Sequence, residues 1–193
     1  MRGLSLVGGI QPVIEDTDHM PILSSGHTGN ALARPGTNSG TGTLSTGRIE
    51  YHPWIVRETI EIASVDVRVQ TADATGLFDL GWYANRIDQG IWKPGGKLET
   101  IGTGLSLVAT GTVSQAWPRT IRRGIYWTGL LALTIAGTGA VRTSAGYLSF
   151  VPQIGATAGH AIGYTESGLS ALPANASPGL SGLQLASPAL VYA

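Results

Sequence analysis

The clearest alternation of apolar and polar positions lies in residues 47–71, GRIEYHPWIVRETIEIASVDVRVQT. Ile49, Tyr51, Pro53 and Ile55 alternate with Arg48, Glu50, His52 and Trp54, the two-residue period of a half-buried strand with its core face on the odd positions. Arg57-Glu58-Thr59 predicts a turn. The next strand carries Ile60 and Ile62 at even positions but Val65, Val67 and Val69 at odd ones. That change of parity predicts a β-bulge near Ala63-Ser64, because an uninterrupted strand would turn one half of its apolar set to solvent. Pro53 has no N–H to give to a ladder, so the first strand is expected at a sheet edge.

Residues 77–84, LFDLGWYA, alternate again, with Phe78, Leu80 and Trp82 on one face and Asp79, Gly81 and Tyr83 on the other. Residues 85–96, NRIDQGIWKPGG, predict a long polar loop at one end of the sheet, with Pro94-Gly95-Gly96 as its turn chemistry. Strands are expected at 97–101, 106–113, 124–135, 145–151 and 188–192. The one at 124–135 should be central, since Ile125, Trp127, Leu131, Leu133 and Ile135 are in phase. Gly137-Thr138-Gly139 predicts a turn, and residues 155–182 are loop-rich. Roughly eight short strands without a 3.6-residue period predict an all-β fold of two antiparallel sheets packed as a sandwich. A jelly roll is the favoured version and an immunoglobulin-like sandwich the rival.

The first 46 residues hold little periodic pattern and become rich in Gly, Ser, Thr and Asn from Ser24 on. They predict an extended N-terminal arm or linker over 1–46, leaving 47–193 as the sandwich domain. Such a segment buries too little to offset its own ordering entropy, so a partner surface is its expected resting place.

Composition narrows the classes. Glycine is abundant at 28 of 193 residues, and 12 basic residues balance 12 acidic ones. A balanced chain has no global field for nucleic acid or anionic lipid. No cysteine is present, so the fold holds without disulfides or thiolate metal sites. No apolar run approaches the ~20 residues that span a bilayer as a helix, and membrane insertion is not expected. Gly8-Gly9, Pro12 and three acids interrupt the short apolar patch near the N-terminus, so no secretory signal is read there.

Catalytic motifs are sparse. Gly104-Leu105-Ser106, Gly168-Leu169-Ser170 and Gly179-Leu180-Ser181 all lack the second glycine of a nucleophile elbow. Residues 90–97 have the wrong spacing for a phosphate loop, with Leu98 where a magnesium-binding hydroxyl belongs. His19, His27, His52 and His160 stand apart, and Asp16 and Asp18 lack the central glycine and distal acid of a calcium loop. No metal or cofactor is expected. Asp79, Asp88 and Glu99 lie near one expected loop end, and acids of that kind meet as a catalytic pair only if the fold brings them into one cleft. Asn175-Ala176-Ser177 has the form of a glycosylation sequon but is followed by Pro178.

The five tryptophans separate by context. Trp82 and Trp127 are in phase with apolar neighbours and belong to the core. Trp54 is out of phase with its strand, and Trp117 precedes Pro118 and the basic Arg119, Arg122 and Arg123. Trp92, flanked by Lys93 and Pro94 in the Gly-rich stretch, is the candidate contact residue, with Arg86, Asp88 and Lys93 as polar contacts around it.

HTGNALARPG at 27–36, GRIEYHPWIV, IASVDVRVQTADATGLFDLGWYAN, GIYWTGLLA and GYTESGLSALPANASP follow one another along the chain. In this order they resemble modules of tailed-bacteriophage virion proteins of the tail-fibre, head-fibre or minor structural type. Gly47, Arg48, Tyr51 and Pro53 match the first motif of those modules, with Trp54 in place of the aromatic after proline. Gly81, Tyr83, Ala84 and Asn85 match a hairpin, Gly124, Tyr126 and Trp127 a later strand, and Gly168, Ala171, Leu172, Pro173 and Ala174 the last motif. The chain departs from them at 85–96, where the similar modules have a shorter Gly/Pro turn, so no shared ligand is carried over there.

The resemblance implies a non-enzymatic structural protein located on the virion. Its arm would attach it to capsid or tail proteins, and a host surface glycan or protein is a further expected contact. A homo-oligomer is implied, a trimer above other states. A capsid decoration (cement) protein is the alternative structural role, and a tail-associated glycan-processing enzyme the alternative from another class. Circular dichroism of the purified protein is expected to show β-structure, and helix above about a fifth of residues would contradict the pattern.

Overall fold

In the computed structural model, which describes residues 40–56, 59–88, 91–144, 163–183, 187–188 and 190–192, the β-branched and aromatic runs form antiparallel strands and no helix. These are β1 (Gly40–Thr43), β2 (Ile49–Val56), β3 (Ile60–Thr71), β4 (Leu77–Asp88), β5 (Ile91–Ser106), β6 (Gly111–Ile121), β7 (Gly124–Thr134), β8 (Ala140–Ser144), β9 (Gly163–Glu166), β10 (Ser181–Leu183), β11 (Ser187–Pro188) and β12 (Leu190–Tyr192). The first sheet runs β10-β9-β2-β7-β4-β5. In the second, β3 is flanked by β6 on one edge and by β8 and β12 on the other, with β1 and β11 on β8. The expected all-β sandwich of two antiparallel sheets is what the chain forms, with β7 central in the first sheet.

The parity change in β3 is real. Ile60, Ile62, Val65, Val67 and Val69 are all buried, so both halves of the strand serve one core. The register against β6 shifts between Ile62 and Ser64. There β6 steps from Arg119 to Ala116, so the extra residue comes from the partner strand, at Trp117-Pro118, and not from β3 itself.

Between the sheets lie Trp54, Val56, Val65, Val67, Phe78, Leu80, Leu107 and Leu130, with Trp82 and Trp117. Trp54 meets Trp82 edge-on at 5.0 Å, and Tyr126 stacks on Trp82 at 4.9 Å. The expectation for β2 is therefore corrected: its even positions, Trp54 and Val56, face the main core. Its odd positions Ile49 and Tyr51 are buried too, in a second cluster with Tyr83, Trp127, Leu131, Leu172 and Ala176. A strand covered on both faces carries no single polar face for alternation to reveal. Nor is β2 an edge strand, since it pairs with β7 along its length and with β9 at Ile49–Tyr51. Pro53 lies just past the last β9 pair, where β2 has no partner on that side among the described residues, so its missing N–H interrupts no ladder there.

The predicted loop at 85–96 is a second correction. β4 and β5 form one long hairpin in which Asn85 faces Pro94, Arg86 faces Lys93, Ile87 faces Trp92 and Asp88 faces Ile91; residues 89–90 lie outside the described residues. Pro94-Gly95-Gly96 is extended because its edge takes a partner from far along the chain. Ala176 N–H donates to the Gly95 carbonyl at 3.0 Å, and Lys97 N–H donates to the Ala174 carbonyl at 2.8 Å. The predicted strand at 106–113 spans the connection between β5 and β6, and β6 continues through Trp117-Pro118 to Ile121. The expected strand at 145–151 and most of the turn at Arg57-Glu58-Thr59 lie outside the described residues. The closing strand at 188–192 is present as β11 and β12.

Residues 40–46 are part of the sandwich: β1 pairs with β8, and Leu44, 4% exposed, packs in the main core. The remainder of the expected arm, 1–39, lies outside the described residues. Buried Asp73 joins two turns, accepting from Thr75 N–H at 3.1 Å and Gly137 N–H at 2.8 Å.

A chain beginning at Gly40 is expected to keep the denaturation midpoint of the full chain. Leu44→Ala should cost about 2–5 kcal/mol by urea denaturation, the usual range for emptying a buried leucine site. An unchanged midpoint for Leu44→Ala would show that residues 40–46 are not part of the core.

Candidate functional site

The outer face of the first sheet is built around two glycines. Gly81 of β4 and Gly129 of β7 are directly paired, and Tyr51 of β2 is the next partner of Gly129. A Cβ at Gly129 would stand 2.8 Å from Ile49 Cδ1 and 2.9 Å from Tyr83 Cε2, and one at Gly81 would stand 2.7 Å from Tyr83 Cε2. The absent side chains let the two tyrosine rings lie against the sheet, edge to face at 5.1 Å. Tyr83 Oη donates to the Pro173 carbonyl at 3.2 Å, and Tyr51 Oη donates to Glu166 Oε2 at 3.4 Å. Burial pushes both phenols well above their usual range, so both stay hydroxyl donors.

At the end of this face the β4–β5 hairpin brings together all four residues proposed from the sequence. Trp92 is half-buried and packs on the second cluster, beside which Trp127 and Tyr164 lie 5.6 Å apart. Lys93 Nζ donates to Asp88 Oδ2 at 2.8 Å, and this hydrogen bond and charge hold the Asp88 carboxyl below its usual range. Arg86 Nη2 donates to the Ser177 carbonyl at 2.8 Å. Ile87, opposite Trp92, is 57% exposed. The polar members of the group are thus already engaged with their own sandwich, and the open apolar surface at the tip belongs to Ile87 and the outer part of Trp92.

A second concavity lies at the corner where β5, β6 and the start of β7 meet. Its volume is about 220 Å³, and Trp82, Trp117, Tyr126, Glu99, Arg119 and Arg122 are among its lining residues. Arg119 grips Glu99 with two donors, Nε to Oε2 at 2.8 Å and Nη2 to Oε1. That grip holds the Glu99 carboxyl below its usual range. The Trp117 indole N–H lies toward Glu99 and helps keep it charged, but makes no hydrogen bond of full geometry among the described residues. Sequence reasoning missed this site. Its one visible signal was the run of arginines after Trp117-Pro118.

The three acids expected near one loop end have separate structural partners: Asp88 binds Lys93, Glu99 binds Arg119, and Asp79 Oδ1 accepts the Gly104 N–H at 2.7 Å. Burial keeps the His52 imidazole neutral, its pKa pushed down to about 3. Among the described residues no cluster of His, Asp or Glu is arranged to hold a metal ion. No protein-family model matches the chain, and no curated protein matches it.

Trp54 and Trp92 should behave differently in urea denaturation. Trp54→Ala is expected to cost roughly 3–5 kcal/mol as a full core deletion. Trp92→Ala should cost less, about 1–2 kcal/mol, for a ring only half removed from water. Equal losses would make Trp92 a core residue and remove it as a contact.

Proposed function

We propose that the chain is a non-enzymatic β-sandwich module of a tailed-phage virion, attached to capsid or tail through its N-terminal segment and meeting a partner or host surface with the β4–β5 hairpin. The observation that carries this reading is where the residues of the resemblance lie. Gly47, at φ 73°, turns the chain into β2 and its carbonyl accepts the Leu169 N–H at 2.9 Å. Gly81 and Tyr83 receive Leu172 and Pro173, and Trp127 lies in the same outer cluster. Residues from each of these motifs therefore meet on one face and close the second cluster, while Trp54 and Tyr126 of the same motifs pack in the main core. That is the behaviour of a fold signature and favours a structural role over a catalytic one.

The separate commitments of Asp79, Asp88 and Glu99 favour the same reading over a tail glycan hydrolase, which would need two carboxylates facing one cleft. Exposed Ile87 and Leu98, at 57% and 55%, give the β4–β5 edge apolar surface for a neighbouring copy, in keeping with the expected homo-oligomer.

Antibody labelling of intact particles tests the proposal. The chain is expected on the particle exterior, and virions carrying Trp92→Ala should adsorb to host cells more slowly at unchanged particle yield. Labelling confined to the capsid lattice with normal adsorption would replace this reading with the cement role, and absence of the chain from purified particles would overturn both.

A further inference from the structure

We infer that the corner pocket between β5, β6 and β7 is a binding subsite for a carboxylate-bearing sugar ring. The inference is independent of the virion reading, and the pocket lies along the strand pair, not at the hairpin tip. Drug-sized ligands fill about 300–1,000 Å³. A pocket of about 220 Å³ therefore suits one ring or a chain end.

Three features of the lining specify the class. The first is an aromatic base: half-buried Tyr126 is the ring that reaches the surface, stacked on buried Trp82, with buried Trp117 5.4 Å from Trp82 behind it. Such a base suits the C–H face of a pyranose. The second is a polar pair of fixed geometry. Arg119 and Glu99, held by two hydrogen bonds across the strands, present a planar donor and acceptor side by side, which matches neighbouring hydroxyls on a ring. The buried Trp117 N–H lies behind this pair, toward Glu99, and helps to fix its carboxylate. The third is charge. Glu99 balances Arg119, which leaves Arg122, an exposed residue of the lining, without an ion-pair partner among the described residues. Its positive charge reaches the Tyr126 phenol, whose hydroxyl donates to the Arg122 carbonyl at 3.1 Å.

One uncompensated guanidinium beside an aromatic wall favours an anionic ring over a neutral one, because a carboxylate takes two parallel N–H donors from it. In a chain of zero net charge, that preference is local to the pocket.

Titration of the full chain with oligogalacturonate, followed by tryptophan fluorescence and by calorimetry, tests the inference. A neutral galacto-oligosaccharide of equal length and inorganic phosphate serve as comparison probes. The uronate is expected to perturb tryptophan emission and to bind about tenfold more tightly than the neutral sugar, with affinity falling as salt rises. Arg122→Gln should remove that advantage at an unchanged thermal midpoint, and Glu99→Gln should weaken both sugars. Absence of uronate binding, equal affinity for the neutral sugar, or full affinity in Arg122→Gln would overturn it. So would competition by phosphate at matched ionic strength, which would make the pocket a general anion site.

Discussion

The central strands of the first sheet must be covered on both faces, and the rest of the structure answers to that need. On the inner face, β2, β7 and β4 present Trp54, Leu130 and Leu80 to the opposite sheet. On the outer face they present Tyr51, Leu131 and Tyr83, which a one-layer sheet would leave in water. Residues 163–183 close that face, with Leu172 and Ala176 buried in it and Leu169 and Leu180 packed against it. The closure works because Gly81 and Gly129 leave room for the tyrosine rings, whose hydroxyls then anchor the covering segment through Pro173 and Glu166.

The same constraint shapes both candidate sites. Pairing of residues 174–176 with β5 keeps the Pro-Gly-Gly stretch extended, and β4 and β5 then project as a hairpin with Trp92 and Ile87 near its end. Midway along the strand pair the inner face closes on an aromatic group, Trp54, Trp82, Trp117 and Tyr126, and the Arg119–Glu99 pair ties the two sheets together beside it. Strands carry the side chains of both sites except Arg122, which sits on the short connection between β6 and β7, and this keeps most of their geometry fixed before any ligand arrives.

Much of the fold was legible in short-range pattern. The alternation in β4 and β7, the parity change in β3 and the core roles of Trp82 and Trp127 all follow from a period of two. What escaped depends on neighbours distant in sequence. Alternation misassigned Trp54 because the rule assumes that one strand face meets water, and β2 meets water on neither over most of its length. Turn chemistry misread Pro94-Gly95-Gly96 because its edge partner, residues 174–176, is not visible locally. The expected strand at 106–113 caught only the start of β6, whose later part runs through Pro118, where the register against β3 shifts. The corner pocket joins residues of β4, β5, β6 and β7, so no single stretch announces it.

Native-state hydrogen exchange tests most directly whether the covering segment is integral to the fold. The decisive amides are Leu169, Ala176 and Lys97, which bond across the segment, against Ala132, which bonds from β7 to Arg48. If residues 163–183 close an obligatory second core, all four exchange only through global unfolding, with the same free energy of opening. Exchange of Leu169, Ala176 and Lys97 through a low-energy local opening, with Ala132 still fully protected, would contradict it, since the first sheet would then stand with its outer face uncovered.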